Sequence, residues 1–507
     1  MLPGLRHALD VLRARPGVAP LAAAALGFAL VAATLLQRAA ALQLPAYDTA
    51  FFEQLVWNLG HGRGLASGFY GGDFLGLHFS PLLALPAALE LAWPDARLLA
   101  LLQAAALALS APAAYLLLRA LLQPRPGAEV AAAALSAPLP FWLGLQEAAR
   151  AGFHTEALAL PLVLVAGWAG LRGRARLCCA CALLALCARE DQAYAVAVIG
   201  LLIALHGPAR RLGAALGLVG LAWGGLLELV VMPALRGRTT SDVEPYYAWL
   251  HHATPGQLAT AATAPAGWLA FAAMVAGLAG LPLLRPGWLA LALPPLLGDL
   301  LSAHAPQPQL HLQYALPLVV PVLVAGGLGA RSLLDRARLL GRPRPIASLA
   351  ALALPALVVG VALGPLVGQR PAAPAPVLDR LLACTSGLPP AAPVAVDDAA
   401  AAPLAARPVE RPLTYGGPAD WVVVDVAGPQ PGYVNASARA AHLAALPAEG
   451  RRLYCDDGRF QLWGPARLPQ RVGEAPPPAL AGHFPQRVGE APPPALAGHL
   501  PQRVGEG

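Results

Sequence analysis

The chain has 507 residues, of which 57% are hydrophobic and only 12% charged. That is more apolar surface than a soluble domain can hide, and apolar runs recur near the roughly 20 residues of a bilayer crossing. All 35 basic residues are Arg, and the net charge of +7 is read as topology information rather than as nucleic-acid binding, because basic residues in short loops mark the cytoplasmic side.

Residues 1–17 form a short N-terminal segment, expected to be cytoplasmic. The first apolar run, Val18 to Leu36, is too long for a signal peptide and lacks a small-residue cleavage site, so it reads as a retained first helix. Further spans are expected near 98–118, 130–146, 157–171, 176–188, 192–206, 213–233, 267–284, 287–303, 312–330 and 346–367, eleven in all. With the N-terminus inside, the cytoplasmic segments hold sixteen Arg, and the opposite short loops and helix ends hold seven. This bias places the first loop, 38–97, and the C-terminal region on the outer side of a bacterial plasma membrane. Leu77 to Trp93 is apolar but short and carries two prolines, and it reads as a helix lying in the outer interface.

Past Leu366 the composition changes. Residues 368–390 are a Pro- and Ala-rich linker. Residues 391–466 read as a small α/β domain, with short strands at 393–398, 409–415 and 420–425, a helix near 399–406, and a hairpin turning at Asp457-Gly458. Residues 467–507 are a 16-residue tandem repeat with Pro-Pro-Pro in each full copy, expected to be disordered. Cys178, Cys179, Cys181 and Cys187 share one apolar helix at spacings that match no zinc site. Cys384 and Cys455 fall in the C-terminal part and would be able to pair in an oxidising compartment.

Polar chemistry gathers in four clusters on the expected outer side. The first is Asp48, Glu53, Gln54, Trp57, Asn58 and His61; the second is His78 before Phe-Ser-Pro81; the third is Phe153-His154-Thr-Glu156; the fourth is Arg189-Glu190-Asp191. Each has a plain alternative. Asp48 is a helix cap, Gln54 and Asn58 mark the polar stripe of an interfacial helix, His78 is an interface anchor, Glu156 answers a helix dipole, and 189–191 is a self-neutralising turn. Together they carry more weight, because polar groups at membrane depth are costly. His251, His252, His304, His311 and Tyr314 form a secondary set. No zinc spacing, phosphate-binding Gly-rich loop or Gly-x-Ser-x-Gly elbow is present, so no cofactor is expected, with a divalent cation left open.

The ordered series Asp48…Gln54…Trp57-Asn58, His78-Phe-Ser-Pro81, Phe153-His154…Glu156, Arg189-Glu190-Asp191 and His311…Tyr314…Pro317 resembles a bacterial family of polytopic membrane proteins of unknown function. That family is grouped with the GT-C glycosyltransferases, relatives of the dolichyl-phosphate-mannose protein mannosyltransferases and the lipid A aminoarabinose transferases. The resemblance covers about residues 18–465 and implies an all-α polytopic fold with an extracytoplasmic α/β domain. It implies a polyprenyl-phosphate-sugar lipid as donor, an inverting transfer at the outer face, and Asp48 as the general base. Gln54, Trp57, Asn58, His78, His154, Glu156, Arg189, Glu190, Asp191, His311 and Tyr314 are then the expected substrate-binding residues. Many GT-C relatives carry a basic residue beside Pro-Pro in the first loop; here His78-Phe-Ser-Pro81 stands there. A transporter or flippase of a lipid-linked or small polar solute, and a non-catalytic lipid-binding scaffold, are the alternatives.

Overall fold

A computed structural model describes residues 14–341, 349–364, 377–413, 419–428 and 436–466. Residues 1–13 and the tandem repeats from 467 lie outside this range. The chain is mostly helical, with one small sheet near its C-terminal end. Among the described residues six helices are long and apolar enough to cross a bilayer: Val18–Ala40 (α1), Arg97–Leu122 (α4), Ala128–Ala151, Arg210–Arg236, Pro255–Gly277 and Leu312–Leu339. Five more apolar helices are shorter, including Pro81–Glu90, Thr155–Leu171 (α5), Ala175–Leu186 (α6) and Gln192–His206 (α7). The expected count of eleven crossings is therefore not carried by helix length. The stretch 287–303 breaks into the short pieces Pro286–Leu289, Ala290–Ala292 and Leu293–Leu300, because Pro294 and Pro295 remove backbone donors. The span expected at 267–284 instead starts at Pro255 and ends at Gly277. The ten residues of Pro81–Glu90, which end in the helix Ala84–Glu90 (α3), are too few to cross.

Helix contacts explain why the bundle holds. α4 packs on both α1 and α5, and Leu107, Ala111, Ala114, Leu117 and Leu118 are buried in its centre. α7 packs tightly on Arg210–Leu226 (α8). At their crossing a Cβ added to Gly200 would meet the backbone nitrogen of Gly217 at 2.4 Å, and one added to Gly213 would meet that of Ala204 at 2.3 Å. Such glycines let membrane helices approach until their backbones touch. The other face of α8 is apolar and open: Leu218 is 70% exposed and Leu221 58%, as a lipid-facing surface requires.

The connections fall at two ends of the bundle. One end is rich in arginine. There Arg125 pairs with Asp335 at 2.5 Å, Arg119 with Glu129 at 2.6 Å, and Arg285 donates to Ser332. At the other end Arg38 donates to the carbonyl of Arg150, Arg236 to that of Gly76, and Tyr70 to Asp242.

The sheet domain sits on this second end. Its strands are Val394–Val396 (β1), Glu410–Pro412 (β2), Trp421–Asp425 (β3), Arg451–Asp456 (β4) and Phe460–Pro465 (β5), in spatial order β2-β1-β3-β5-β4. β1 runs parallel to β2 and β3, and β5 runs antiparallel to β3 and β4. The β4–β5 hairpin turns at Asp457-Gly458, where Gly458 has φ +83°. One face of the sheet and the helix Asp398–Leu404 (α10) share a single core with the first loop: Val394, Val396, Ala400, Trp421 and Phe460 pack with Leu42, Phe51, Leu55 and Phe153. The stretch expected as linker differs at its second half. Val377–Cys384 is a helix, because Val377, Leu381 and Cys384 recur at helical spacing and bury one side against β5. Cys384 is disulfide-bonded to Cys455 on β4.

Candidate functional site

The first loop enters as a π-helical turn, Ala46–Ala50, that runs directly into the helix Phe51–Gly60 (α2). Phe51, Phe52, Phe69, Phe74 and Phe153 meet edge to face or tilted and hold this turn against the start of α5. Gly152 makes the approach feasible. Its φ is +96°, and a Cβ there would meet the Thr49 hydroxyl at 2.8 Å and the Asp48 Cβ at 3.4 Å.

Asp48 thereby reaches His154, with Oδ1 3.5 Å from Nε2. His154 is buried, and its backbone N–H donates to Gln103 Oε1 at 3.1 Å from the middle of α4. Burial disfavours the imidazolium, but the Asp48 carboxylate more than offsets it, so the His154 pKa is raised above its ordinary value.

Two residues on, Glu156 accepts a hydrogen bond from Arg189 Nη1. Arg189 Nε lies 3.4 Å from Glu190 and 3.8 Å from Asp191. Glu190 in turn accepts from the Phe79 backbone N–H at 3.0 Å and sits 2.9 Å from His78 Nδ1. Burial pushes the Glu190 carboxyl up, yet His78 and Arg189 hold it down at about 2. Burial raises its neighbour Asp191 to about 6. Arg189 Nη2 donates no hydrogen bond among the described residues. Tyr314 lies within electrostatic reach of Asp48 and Arg189, and its ring stands edge-on to His304. Beneath Glu156 and Asp191 a cavity of about 10 Å3, room for one water, is lined by Tyr194, Leu316 and Pro317.

Asp48, His78, His154, Glu156, Arg189, Glu190, Asp191 and Tyr314 thus come together. Gln54, Trp57, Asn58 and His311 do not. Gln54 Oε1 accepts from Ser67 and from the Gly68 N–H, and Asn58 Nδ2 donates to the carbonyls of Ala66 and Pro408. These two residues tie the loop to itself and to the sheet domain. Trp57 stacks on His61 with ring centroids 3.9 Å apart, and His311 is exposed at the start of the turn before Leu316–Leu339 (α9). Three contributors escape a motif reading. Gln103 is the one polar side chain amid the apolar run 98–109, a signal that was available. Tyr246, which stacks on the secondary-set residue His304, carries no pattern in sequence. Asp398, at the start of α10, faces Asp48 across the domain interface; burial, then the Asp48 charge, raise it to about 7. No group of three His, Cys, Asp or Glu is arranged to hold a metal among the described residues.

Residues 38–377 match the family described as "Predicted membrane protein (DUF2079)". The chain belongs to that family. The match spans the first loop, the whole Arg189 network and the broken helices up to the sheet domain, so the site apart from Asp398 lies within the family's own segment. No curated protein matches the chain.

Proposed function

We propose that this DUF2079 protein is a GT-C-like glycosyltransferase that moves a sugar from a polyprenyl-phosphate carrier to an acceptor hydroxyl at the outer face of a bacterial plasma membrane. The observation that carries the reading is the pairing of Asp48 with buried His154, beside a guanidinium whose Nη2 donates no hydrogen bond among the described residues. In the proposed reaction the Asp48 carboxylate takes the acceptor proton, and His154 holds the carboxylate in place. The freed oxygen attacks the anomeric carbon from the face opposite the phosphate. The bond between that carbon and the phosphate oxygen breaks, and its electron pair leaves with the phosphate. The products are the glycosylated acceptor, inverted at the anomeric carbon, and the polyprenyl phosphate. Arg189 would meet the departing charge through Nη2. His78, 2.9 Å from Glu190, is the second group close enough to share that role.

The orientation has two supports. The arginines are biased toward the end away from the site, which holds Arg119, Arg125, Arg172, Arg285 and Arg331, although Arg38, Arg150, Arg189 and Arg236 lie at the site's end. The Cys384–Cys455 disulfide fits an oxidising compartment for the sheet domain.

The test uses the full chain in proteoliposomes loaded with a radiolabelled polyprenyl-phosphate sugar. Wild type releases polyprenyl phosphate and places the label on an acceptor, while Asp48→Asn inserts and folds normally but leaves the donor intact. If label crosses the bilayer on its original carrier, the protein is a transporter and the transferase reading falls.

A further inference from the structure

A second group of acids lies beside the site and takes no part in the proposed transfer. Glu53 on α2, Glu90 on α3 and Glu410 on β2 each have 0% exposure. All six of their carboxylate oxygens are buried without a well-formed hydrogen bond. Glu53 and Glu90 face one another across the contact between α2 and α3, with the backbone of Asp95 beside Glu90. Glu410 approaches them from the sheet domain, and it too is unpartnered and fully buried.

The charged groups around this pair offer no relief. Asp95 is engaged by Arg97, whose Nε lies 2.9 Å from both carboxylate oxygens. Arg407 is the cation nearest Glu410, and its Nε donates to the Leu404 carbonyl while its Nη1 has no partner. Among the described residues no cation faces Glu53 or Glu90 directly. Two ionised carboxylates at this depth would be an uncompensated buried charge, which costs several kcal/mol. Protonation is the remaining way to hold them together, because one carboxyl then donates to the other.

We infer that Glu53 and Glu90 form a proton-binding clamp that keeps α2, and the sheet domain attached to it, docked on the bundle, and that the clamp releases when the pair ionises. The mechanical route is short. α2 continues directly from the turn that carries Asp48. Asn58, one turn and a half beyond Glu53, donates to the Pro408 carbonyl of the sheet domain at 3.1 Å. The loop at Gly68 packs so closely on the Glu410 carbonyl that a Cβ would meet it at 2.1 Å. Repulsion between two carboxylates on α2 and α3 would therefore move the Asp48 turn and the sheet domain together. Burial, then the neighbouring acids, raise Glu53 well above the usual carboxylate range, and burial first raises Glu90 to about 7, so the two carboxylates are ionised together, and the clamp released, only above neutral pH.

Hydrogen exchange on the full chain in nanodiscs tests this at pH 5.5 and 8.5, after correction for the intrinsic rate. In wild type, amides of 51–60 and 407–413 should lose at least tenfold protection at the higher pH, while those of α9 stay constant. Glu53→Gln with Glu90→Gln, and each single change, keep the shape and remove the paired charge, so protection should persist at both pH values. Wild-type protection that does not change between the two pH values overturns the clamp. So does a pH response that survives in the folded double variant.

Discussion

Two buried clusters of acids lie at the same end of this bundle, and they have opposite electrostatic solutions. Around Arg189, three carboxylates share one guanidinium and a neighbouring histidine, and Glu190 is held ionised. Around Glu53, neither Glu53 nor Glu90 has a cation beside it among the described residues, Glu410 has only the nearby Arg407, and the carboxylate oxygens of all three form no hydrogen bond. Burial is comparable in the two places. What differs is whether a cation was built in, and that decides whether an acid at this depth stays charged or holds its proton.

The largest expected effect is at the paired cluster. Arg189→Ala strands Glu156 as a buried charge without its guanidinium, while Glu190 keeps His78 and the Phe79 N–H, and should cost about 3–5 kcal/mol of stability. Thermal unfolding in detergent, followed by size-exclusion profile, checks it. A variant as stable as wild type would mean that water already compensates these acids.

The unpaired cluster should respond in the opposite direction. A carboxyl whose folded pKa is raised binds more protons in the folded state, so stability falls as pH rises from the unfolded value, about 4.5, through the folded one, about 7 for Glu90. Glu53→Gln with Glu90→Gln should therefore stabilise the protein at pH 8 by about 1–3 kcal/mol and change little at pH 5. Equal melting curves for the two proteins at pH 8 would place the pair in an environment that already tolerates the charge.

The smallest effect is at the join between the site and solvent. His154 has a raised pKa, so the pair contributes stability that is fully present below the unfolded value of about 6.5 and is lost as pH rises through the folded one. In Asp48→Asn only burial remains among the leading causes, and the His154 pKa should drop below that of wild type. Stability should change by about 1 kcal/mol or less. Imidazole titration by NMR on the isotope-labelled protein reads the shift, and an unchanged titration would separate Asp48 from His154.

Much of the fold is legible in the chain itself. Long apolar runs mark helices such as α1 and α4, because hydrocarbon tolerates only a self-bonded backbone. Alternating apolar residues and an Asp-Gly turn mark the β4–β5 hairpin. The helix Val377–Cys384 was hidden by the Pro and Ala around it, although its apolar residues keep helical spacing. The break at Pro294-Pro295 was visible as residues, but not as a division of the helix into three pieces.

Sequence by itself determined that this is a membrane protein with a small sheet domain, that its arginines segregate, and that acids and histidines gather in a few segments; composition and periodicity act locally and need no partner to be read. Tertiary structure alone decided which of those segments meet. Asp48, His154, Arg189 and His78 are separated by up to 141 positions, from 48 to 189, and join because four helix mouths share one end of the bundle. Gln54 and Asn58 lie on the same helix as the Asp48 turn and yet point into loop and domain contacts, since the side chains of one helix cannot all face one neighbour. Tertiary structure also decided the charge of the acids. Glu156 and Glu53 are the same residue type and both are buried, yet Glu156 meets a guanidinium across the packing interface and Glu53 meets another acid, Glu90.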